Sequence, residues 1–217
     1  MKTDIYNTLR NRIIYLKYKP GYMLKEQDLA KEFNVSRTPL RAVLLRLEWE
    51  HLVKILPRTG TLVMELELNT ITNVFQARLE LEAVIGSMAA EHFNETRFIR
   101  LDELIAETTS QPDHKNPRHL AELDMNIKHL FHEAAGNPFL TEMSERLYAL
   151  TFRLWYFNLL KMSDQDLDME AVSIKEDLIS LSTLLKSGTP QQVGKARKDH
   201  LLKHLKRIRS KFLGLSA

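Results

Sequence analysis

Residues 34–47 read NVSRTPLRAVLLRL, and this stretch decides the fold of the first third of the chain. Asn34 can take the left-handed conformation that ends a preceding helix, and Ser36 has the side chain of a helix N-cap. Pro39 falls in the first turn of the helix that follows, where its missing N–H costs nothing. Four apolar residues then recur at i, i+3, i+4 and i+7, which predicts a buried helical stripe. They are Leu40, Val43, Leu44 and Leu47.

The flanking sequence predicts two helices before this one and a hairpin after it. Helical periodicity runs from Asp4 to Tyr18, where Lys19-Pro20-Gly21 breaks it, and a short helix follows at about residues 26–33. The strands Val53–Leu56 and Thr61–Met64 are joined by Pro57-Arg58-Thr59-Gly60, which has hairpin chemistry. The order of helix, short helix, turn, helix and hairpin predicts a winged helix-turn-helix.

From about Thr70 onward the sequence predicts only helices, because each break combines a stop signal with a start signal. The predicted spans are 70–93, 96–109, 118–135, 138–162, 166–187 and 191–213. A domain boundary is expected near residues 65–69. The predicted fold is therefore mainly α, with a winged helix-turn-helix at residues 1–66 and an all-helical bundle at residues 70–217.

Composition and charge narrow the class of protein. The chain has no cysteine, which excludes disulfides and thiolate zinc sites and favours a reducing compartment. No signal-peptide pattern and no long apolar run is found, so we expect a cytoplasmic protein with no membrane segment. Residues 1–66 carry twelve Lys and Arg against seven Asp and Glu. This basic first third suits a phosphate-binding module, although charge alone equally fits a solvated basic surface.

The third helix carries the candidate DNA contacts. With its apolar stripe buried, Arg37, Thr38 and Arg41 face outward at the N-terminal end, which is the end that enters the major groove in recognition helices. Arginines there can bind guanine O6 and N7 or grip phosphates. Further candidates are Arg46 along the helix, Arg58 at the wing tip and Gly60, which lets the wing turn tightly. The alternative is an ordinary solvated face, which the basic hairpin directly afterwards disfavours.

These residues resemble the GntR family of bacterial transcription regulators. The resemblance rests on LKEQDLAKEFNVSRTPLR at 24–41, LLRLE at 44–48, Leu52-Val53 and PRTG at 57–60. It implies a dimer that binds a short palindromic operator in double-stranded DNA, with Arg37, Arg41 and Arg46 as contacting arginines and Gly60 in the wing. Ala42 stands where the family usually has Glu, and His51 where it usually has Gly. We place neither departure on the proposed DNA face, and His51 must accept a turn conformation that Gly adopts more easily.

The remainder of the chain resembles the ligand-sensing domain of the FadR-like (FCD) subgroup. The resemblance rests on RLELE at 78–82, on residues 124–138 and on Gly188 followed by His200. Many members of that subgroup bind a divalent metal through one Asp and three His. Carried over residue by residue, Asp124 and His200 match, whereas Lys128 and Leu178 replace the other two histidines. The resemblance implies a small-molecule effector.

Three interpretations of this altered site stay open. In the first, a rearranged metal site uses Asp124, His132 and His200. In the second, Lys128 replaces the positive charge of the metal, pairs with Asp124 four residues earlier, and binds an anionic effector together with Arg78 and His200. In the third, Asp124 and Lys128 form an ordinary surface pair.

The sequence as a whole predicts a homodimeric repressor that a small carboxylate controls. We predict no catalytic residues and no enzyme activity, because no Ser/His/Asp or Cys/His set and no phosphate loop is discernible. A helical ligand-binding or scaffold protein whose small domain binds a protein partner is the main alternative. Salt dependence separates the two, since DNA binding through several Lys and Arg falls steeply with salt.

Overall fold

The computed structural model describes residues 4–110 and 115–213, with the side chains of residues 68 and 209–213 left out. It divides into two compact units. The first comprises Met1–Val74 with Tyr148–Leu154, and the second comprises Phe75–Leu147 with Trp155–Ala217. The domain limits 1–66 and 70–217 stay a prediction, because this division describes compactness rather than independent folding.

The first unit has the predicted order of helix, short helix, turn, helix and hairpin. Its elements are α1 (Ile5–Ile14), β1 (Met23–Leu24), α2 (Glu26–Glu32), α3 (Arg37–Trp49), β2 (Val53–Leu56) and β3 (Gly60–Val63). The strands form an antiparallel sheet of order β1-β3-β2, in which Leu24 faces Thr61 and Val53 faces Val63. The two-residue strand β1 is absent from the sequence-based prediction, because so short a strand has no periodicity to detect. β3 begins and ends one residue earlier than predicted.

Backbone turns in the first unit follow the predicted residues. Asn34 and His51 both take left-handed conformations, with φ of 51° and 59°, as expected. Ser36 is the N-cap of α3, although its side chain makes no capping hydrogen bond. α1 ends at Ile14, earlier than the predicted Tyr18, because Leu16 turns the chain with φ of 56°.

Apolar side chains of α1, α2, α3 and the sheet form the core of the first unit. Leu40, Leu44 and Leu47 are fully buried, and α3 contacts α1, α2 and β2. Val43, predicted to be buried with them, is only half-buried. The other core residues of these elements are Leu9, Ile13, Ile14, Leu24, Leu29, Leu52, Val53 and Val63. This packing leaves the opposite face of α3 exposed.

The helices that follow are those predicted, with bounds within three residues of expectation. They are α4 (Leu68–Glu91), α5 (Glu95–Glu107), α6 (Pro117–Ala135), α7 (Pro138–Leu159), α8 (Asp164–Ser187) and α9 (Pro190–Leu213). Gly136, with φ of 63°, ends α6, and Asn137 then caps α7 by accepting from the backbone N–H groups of Phe139 and Leu140. Among the described residues, no helix is long and apolar enough to span a bilayer.

The core of the second unit lies between α4, α5, α6, α8 and α9. Its buried residues include Ile85, Leu101, Leu123, Phe131, Leu178 and Val193. Glycine allows α4 and α9 to approach closely, because a Cβ at Gly194 would lie 2.4 Å from the carbonyl oxygen of Ala83. This close approach brings Arg197 of α9 against Glu82 of α4. The prediction of a mainly α fold is confirmed.

Candidate functional site

The first unit carries a cationic groove with a volume of about 400 Å³. Residues at the start of α2, the N-terminal turns of α3 and the turn between β2 and β3 line it. The charged residues of its lining are Lys25, Glu26, Arg37, Arg41 and Arg58. Four cationic side chains therefore surround the groove against one carboxylate. We call this surface the α3–wing groove.

The three arginines of the α3–wing groove keep their charge unneutralised. Arg37, Arg41 and Arg58 are exposed, and no ion pair or hydrogen bond joins them to any residue that the structure describes. Since Ser36 makes no side-chain capping hydrogen bond, the first N–H groups of α3 are available to an anion. Thr38 is exposed beside Arg37. The groove is therefore suited to a polyanion.

Two residues shape the turn of the wing, which is the hairpin formed by β2 and β3. Arg58 takes a left-handed conformation at the tip, with φ of 65°. Gly60 has φ of 143°, and a Cβ there would lie 2.8 Å from the carbonyl oxygen of Leu24. Both residues of the turn thus have positive φ, and Gly60 also permits the close pairing of β1 and β3. Arg58 lines the groove from this turn.

Arg46 makes intramolecular contacts that the sequence did not indicate. Its guanidinium lies 3.6 Å from the ring centre of Tyr6 and 3.6 Å from a carboxylate oxygen of Glu50. The Tyr6 hydroxyl donates to Glu50 at 2.5 Å, and Arg10 pairs with the same carboxylate at 3.2 Å. Burial and the neighbouring Glu50 raise the pKa of Tyr6 to about 12. Arg46 keeps an exposed side chain, and its DNA contact stays a prediction.

Ala42 does lie on the outward face of α3, contrary to the expectation from sequence. It is exposed, and it lies one turn beyond Thr38 and one turn before Leu45, which is 53% exposed. Residues at this spacing share one helix face, opposite the buried stripe. The departure at Ala42 therefore changes the surface that α3 presents.

The second unit contains a buried charge cluster around Glu82. The Glu82 carboxylate is 1% exposed and lies 2.5 Å from Arg197 and 3.6 Å from Arg78, and Ser144 donates to it at 3.4 Å. Burial alone would raise the pKa of Glu82, but the charges of Arg197 and Arg78 outweigh it and lower the pKa to about 2. Arg78, a predicted effector contact, is thus paired with a carboxylate one turn along α4. The RLELE motif contains this i, i+4 pair.

Lys128 pairs with a residue that the sequence did not indicate. It is 3% exposed, and its ammonium group donates to Glu145 of α7. The Nδ1 atom of His132 lies 3.9 Å from the same carboxylate. Neither ring nitrogen of His132 has a hydrogen-bond partner among the described residues, and burial lowers the pKa of His132 to about 4. His132 is therefore neutral at pH 7, with one donor and one acceptor unused.

The expected metal ligands do not form a metal site here. His200 lies 3.5 Å from Asp177, and Leu178 is an apolar core residue. Burial lowers the pKa of His200 to about 4. In the part of the chain that the structure describes, no group of three or more His, Asp or Glu is placed to hold a metal ion. Asp124, His132 and His200 are among the described residues and form no such group, and a bound metal stays a prediction.

Comparison with known families now accounts for both units. Residues 1–63 match the model described as bacterial regulatory proteins, gntR family, and residues 73–203 match the FCD domain. The chain belongs to the GntR family. This GntR regulator is a DNA-binding transcription regulator with an effector-binding FCD domain, and it is not an enzyme.

Known proteins resemble this chain in sequence and in fold. The HTH-type transcriptional repressor RspR of Escherichia coli is 26% identical over 155 residues, which cover 71% of this chain and 68% of that protein. The solved structure of E. coli McbR/YncC superposes with a TM-score of 0.82 at 19% identity, over 97% of this chain and 98% of that one. A GntR protein from Rhodococcus sp. RHA1 gives a TM-score of 0.73 at 17% identity, over 100% and 99%. At these identities the structures show a shared fold.

Proposed function

We propose that this GntR regulator is a homodimeric repressor that binds a palindromic operator through the α3–wing groove and releases it on binding a small carboxylate. The observation that carries the DNA contact is the set of three exposed arginines that have no partner among the residues the structure describes: Arg37, Arg41 and Arg58. Arginines left unpaired on a surface are available to phosphates and guanine edges, and they need not break an internal ion pair first. The E. coli relative RspR is named a repressor, which supports the same sign of regulation.

The DNA part is tested by selecting duplexes from a random-sequence pool with the full-length protein and measuring their affinity by fluorescence anisotropy. We expect a palindromic sequence to be enriched. The double variant Arg37→Ala/Arg41→Ala should bind it at least tenfold more weakly, whereas Lys31→Ala, which removes an exposed cation of α2, should bind it normally. Failure to enrich any duplex contradicts the DNA part, and a duplex without two symmetric half-sites contradicts the dimer.

The charge cluster of the second unit supports an anionic effector. Three cations, Arg78, Lys128 and Arg197, face two carboxylates, Glu82 and Glu145. These buried cations favour an anionic ligand, and the neutral His132 offers it a donor and an acceptor. Lys128 supplies a fixed positive charge at the position where the FCD resemblance implies a metal-binding histidine.

The effector part is tested by thermal unfolding of EDTA-treated protein with a panel of small mono- and dicarboxylates and their neutral amides. We expect at least one carboxylate, and not its amide, to raise the melting temperature and weaken binding to the selected duplex. Lys128→Met should abolish the shift, and the exposed-cation control Lys161→Met should retain it. A near-stoichiometric, tightly bound metal that is lost in His200→Ala contradicts the role of Lys128.

A further inference from the structure

We propose that α3 recognises thymine methyl groups through an apolar patch centred on Leu45, beside the bases or phosphates that Arg37 and Arg41 contact. This inference rests on the proposed DNA-binding function and specifies which feature of the operator is recognised. The patch consists of Leu45, Ala42 and the methyl group of Thr38, and we call it the Leu45 patch.

The position of the Leu45 patch follows from the burial of α3. Leu40, Leu44 and Leu47 are fully buried and define the inward face of the helix. At 100° per residue, Thr38, Ala42 and Leu45 fall within about 50° of the direction opposite to that face. Arg37 and Arg41 lie to one side of them. The outermost line of the helix is therefore apolar, whereas its flank is cationic.

The chemistry of the patch limits what it can recognise. Leu45 and Ala42 have no side-chain hydrogen-bond donor or acceptor, so they cannot bind the polar edges of guanine, cytosine or adenine. In the major groove the 5-methyl group of thymine is the apolar feature of a base edge. An exposed leucine on a recognition helix thus favours thymine by removing its methyl group from water.

Charge on the surrounding surface favours DNA as the occupant of the Leu45 patch. The patch adjoins Arg37 and Arg41 on the same helix, and both line the α3–wing groove with Lys25 and Arg58. A second protein surface docked on Leu45 would have to neutralise or desolvate these cations, whereas a duplex supplies phosphates on both sides of its groove. The half-site is therefore expected to contain thymines next to the position that Arg41 contacts.

Replacing thymine by deoxyuridine tests the proposal, because it removes the methyl group and leaves base pairing intact. The probe is the duplex selected from the random pool, with each thymine of a half-site replaced in turn. Affinity is measured for the full-length protein, for Leu45→Ala and for Leu160→Ala. Leu160 is also 53% exposed and lies at the end of α7, so it is a matched control.

We expect deoxyuridine at one or more positions to weaken wild-type binding about fourfold per half-site, the value for burial of one methyl-sized group. The loss should fall below twofold in Leu45→Ala and persist in Leu160→Ala. Binding that no deoxyuridine changes, or an equal loss in Leu45→Ala, overturns the proposal. Unchanged DNA affinity with loss of the dimer in Leu45→Ala also overturns it, in favour of contact with a second copy. If no duplex is enriched at all, the proposed function itself has failed.

Discussion

Positively charged side chains have opposite environments in the two units. In the α3–wing groove, Arg37, Arg41 and Arg58 are exposed and lack partners among the described residues. In the second unit, Arg197 and Lys128 are largely buried and pair with Glu82 and Glu145. A buried charge requires a partner, so the buried cations of the second unit stabilise the fold through their ion pairs. The exposed arginines of the groove can instead bind an external anion. The difference distinguishes the surface that we propose binds DNA from the buried cluster that we propose binds a small anion.

The largest expected effect is the loss of the buried anion. Glu82→Gln leaves Arg78 and Arg197 near each other without a full counter-charge, so we expect it to reduce the free energy of unfolding by about 3–5 kcal/mol. Glu80→Gln, two residues earlier, breaks an exposed pair with Lys198 and should cost less than about 1 kcal/mol. Urea denaturation measures both variants. Equal losses in the free energy of unfolding would mean that the buried cluster contributes no more to stability than the exposed Glu80–Lys198 pair does.

The next effect is a dependence of stability on pH. The pKa of His132 is about 4 in the folded protein, below its ordinary value of 6.5. Between these values the unfolded chain binds the proton and the folded one does not, so stability falls as pH decreases from about 6.5 to about 4. The expected loss from His132 is on the order of 3 kcal/mol. His200 contributes in the same direction.

Denaturation at pH 7 and pH 5 checks this dependence. The fall in stability should be smaller in His132→Gln than in the wild type, and His92→Gln is the control because His92 is exposed and lies outside the cluster. An unchanged pH dependence in His132→Gln would show that His132 is solvated or paired in the folded state.

Much of the fold could be predicted from the sequence because its signals are local. Asn34, Ser36 and Pro39 place the turn before α3, and Gly136 with Asn137 and Pro138 places the break between α6 and α7. The strand β1 was not predicted, because its two residues form a strand only by pairing with β3 and have no periodic pattern of their own.

The candidate DNA site was more predictable than the effector site for a physical reason. Arg37 and Arg41 belong to the first two turns of one helix, so the local sequence alone places them together at its N-terminal end. In the effector site, Lys128 and Glu82 each have a partner on another helix, namely Glu145 of α7 and Arg197 of α9. No pattern along the chain reports a contact across 17 or 115 residues.

An intermediate effect is expected for Arg41→Ala. Removing a guanidinium that contacts a base should weaken binding to the selected duplex by about 1–3 kcal/mol and relax specificity at that position. Stability should stay within about 0.5 kcal/mol of the wild type, since Arg41 is exposed. Anisotropy titration and urea denaturation give the two quantities. Normal affinity would remove Arg41 from the interface.

The smallest effect on binding is expected for Arg46→Ala. Because Arg46 contacts Tyr6 and Glu50, its loss should lower stability by about 1 kcal/mol. Its effect on DNA affinity should be smaller than that of Arg41→Ala. The opposite order in the same two assays would place Arg46, rather than Arg41, at the centre of the DNA contact.

The salt dependence of DNA binding tests the central claim most directly. Log Kd for the selected duplex is measured against log salt concentration for the wild type, for the triple variant Arg37→Ala/Arg41→Ala/Arg58→Ala and for the control Arg100→Ala/Lys161→Ala in the second unit. The account predicts a slope that becomes shallower by about one for each arginine that contacts a phosphate in the triple variant, with no change in the control. A wild-type slope that the triple variant retains would contradict it.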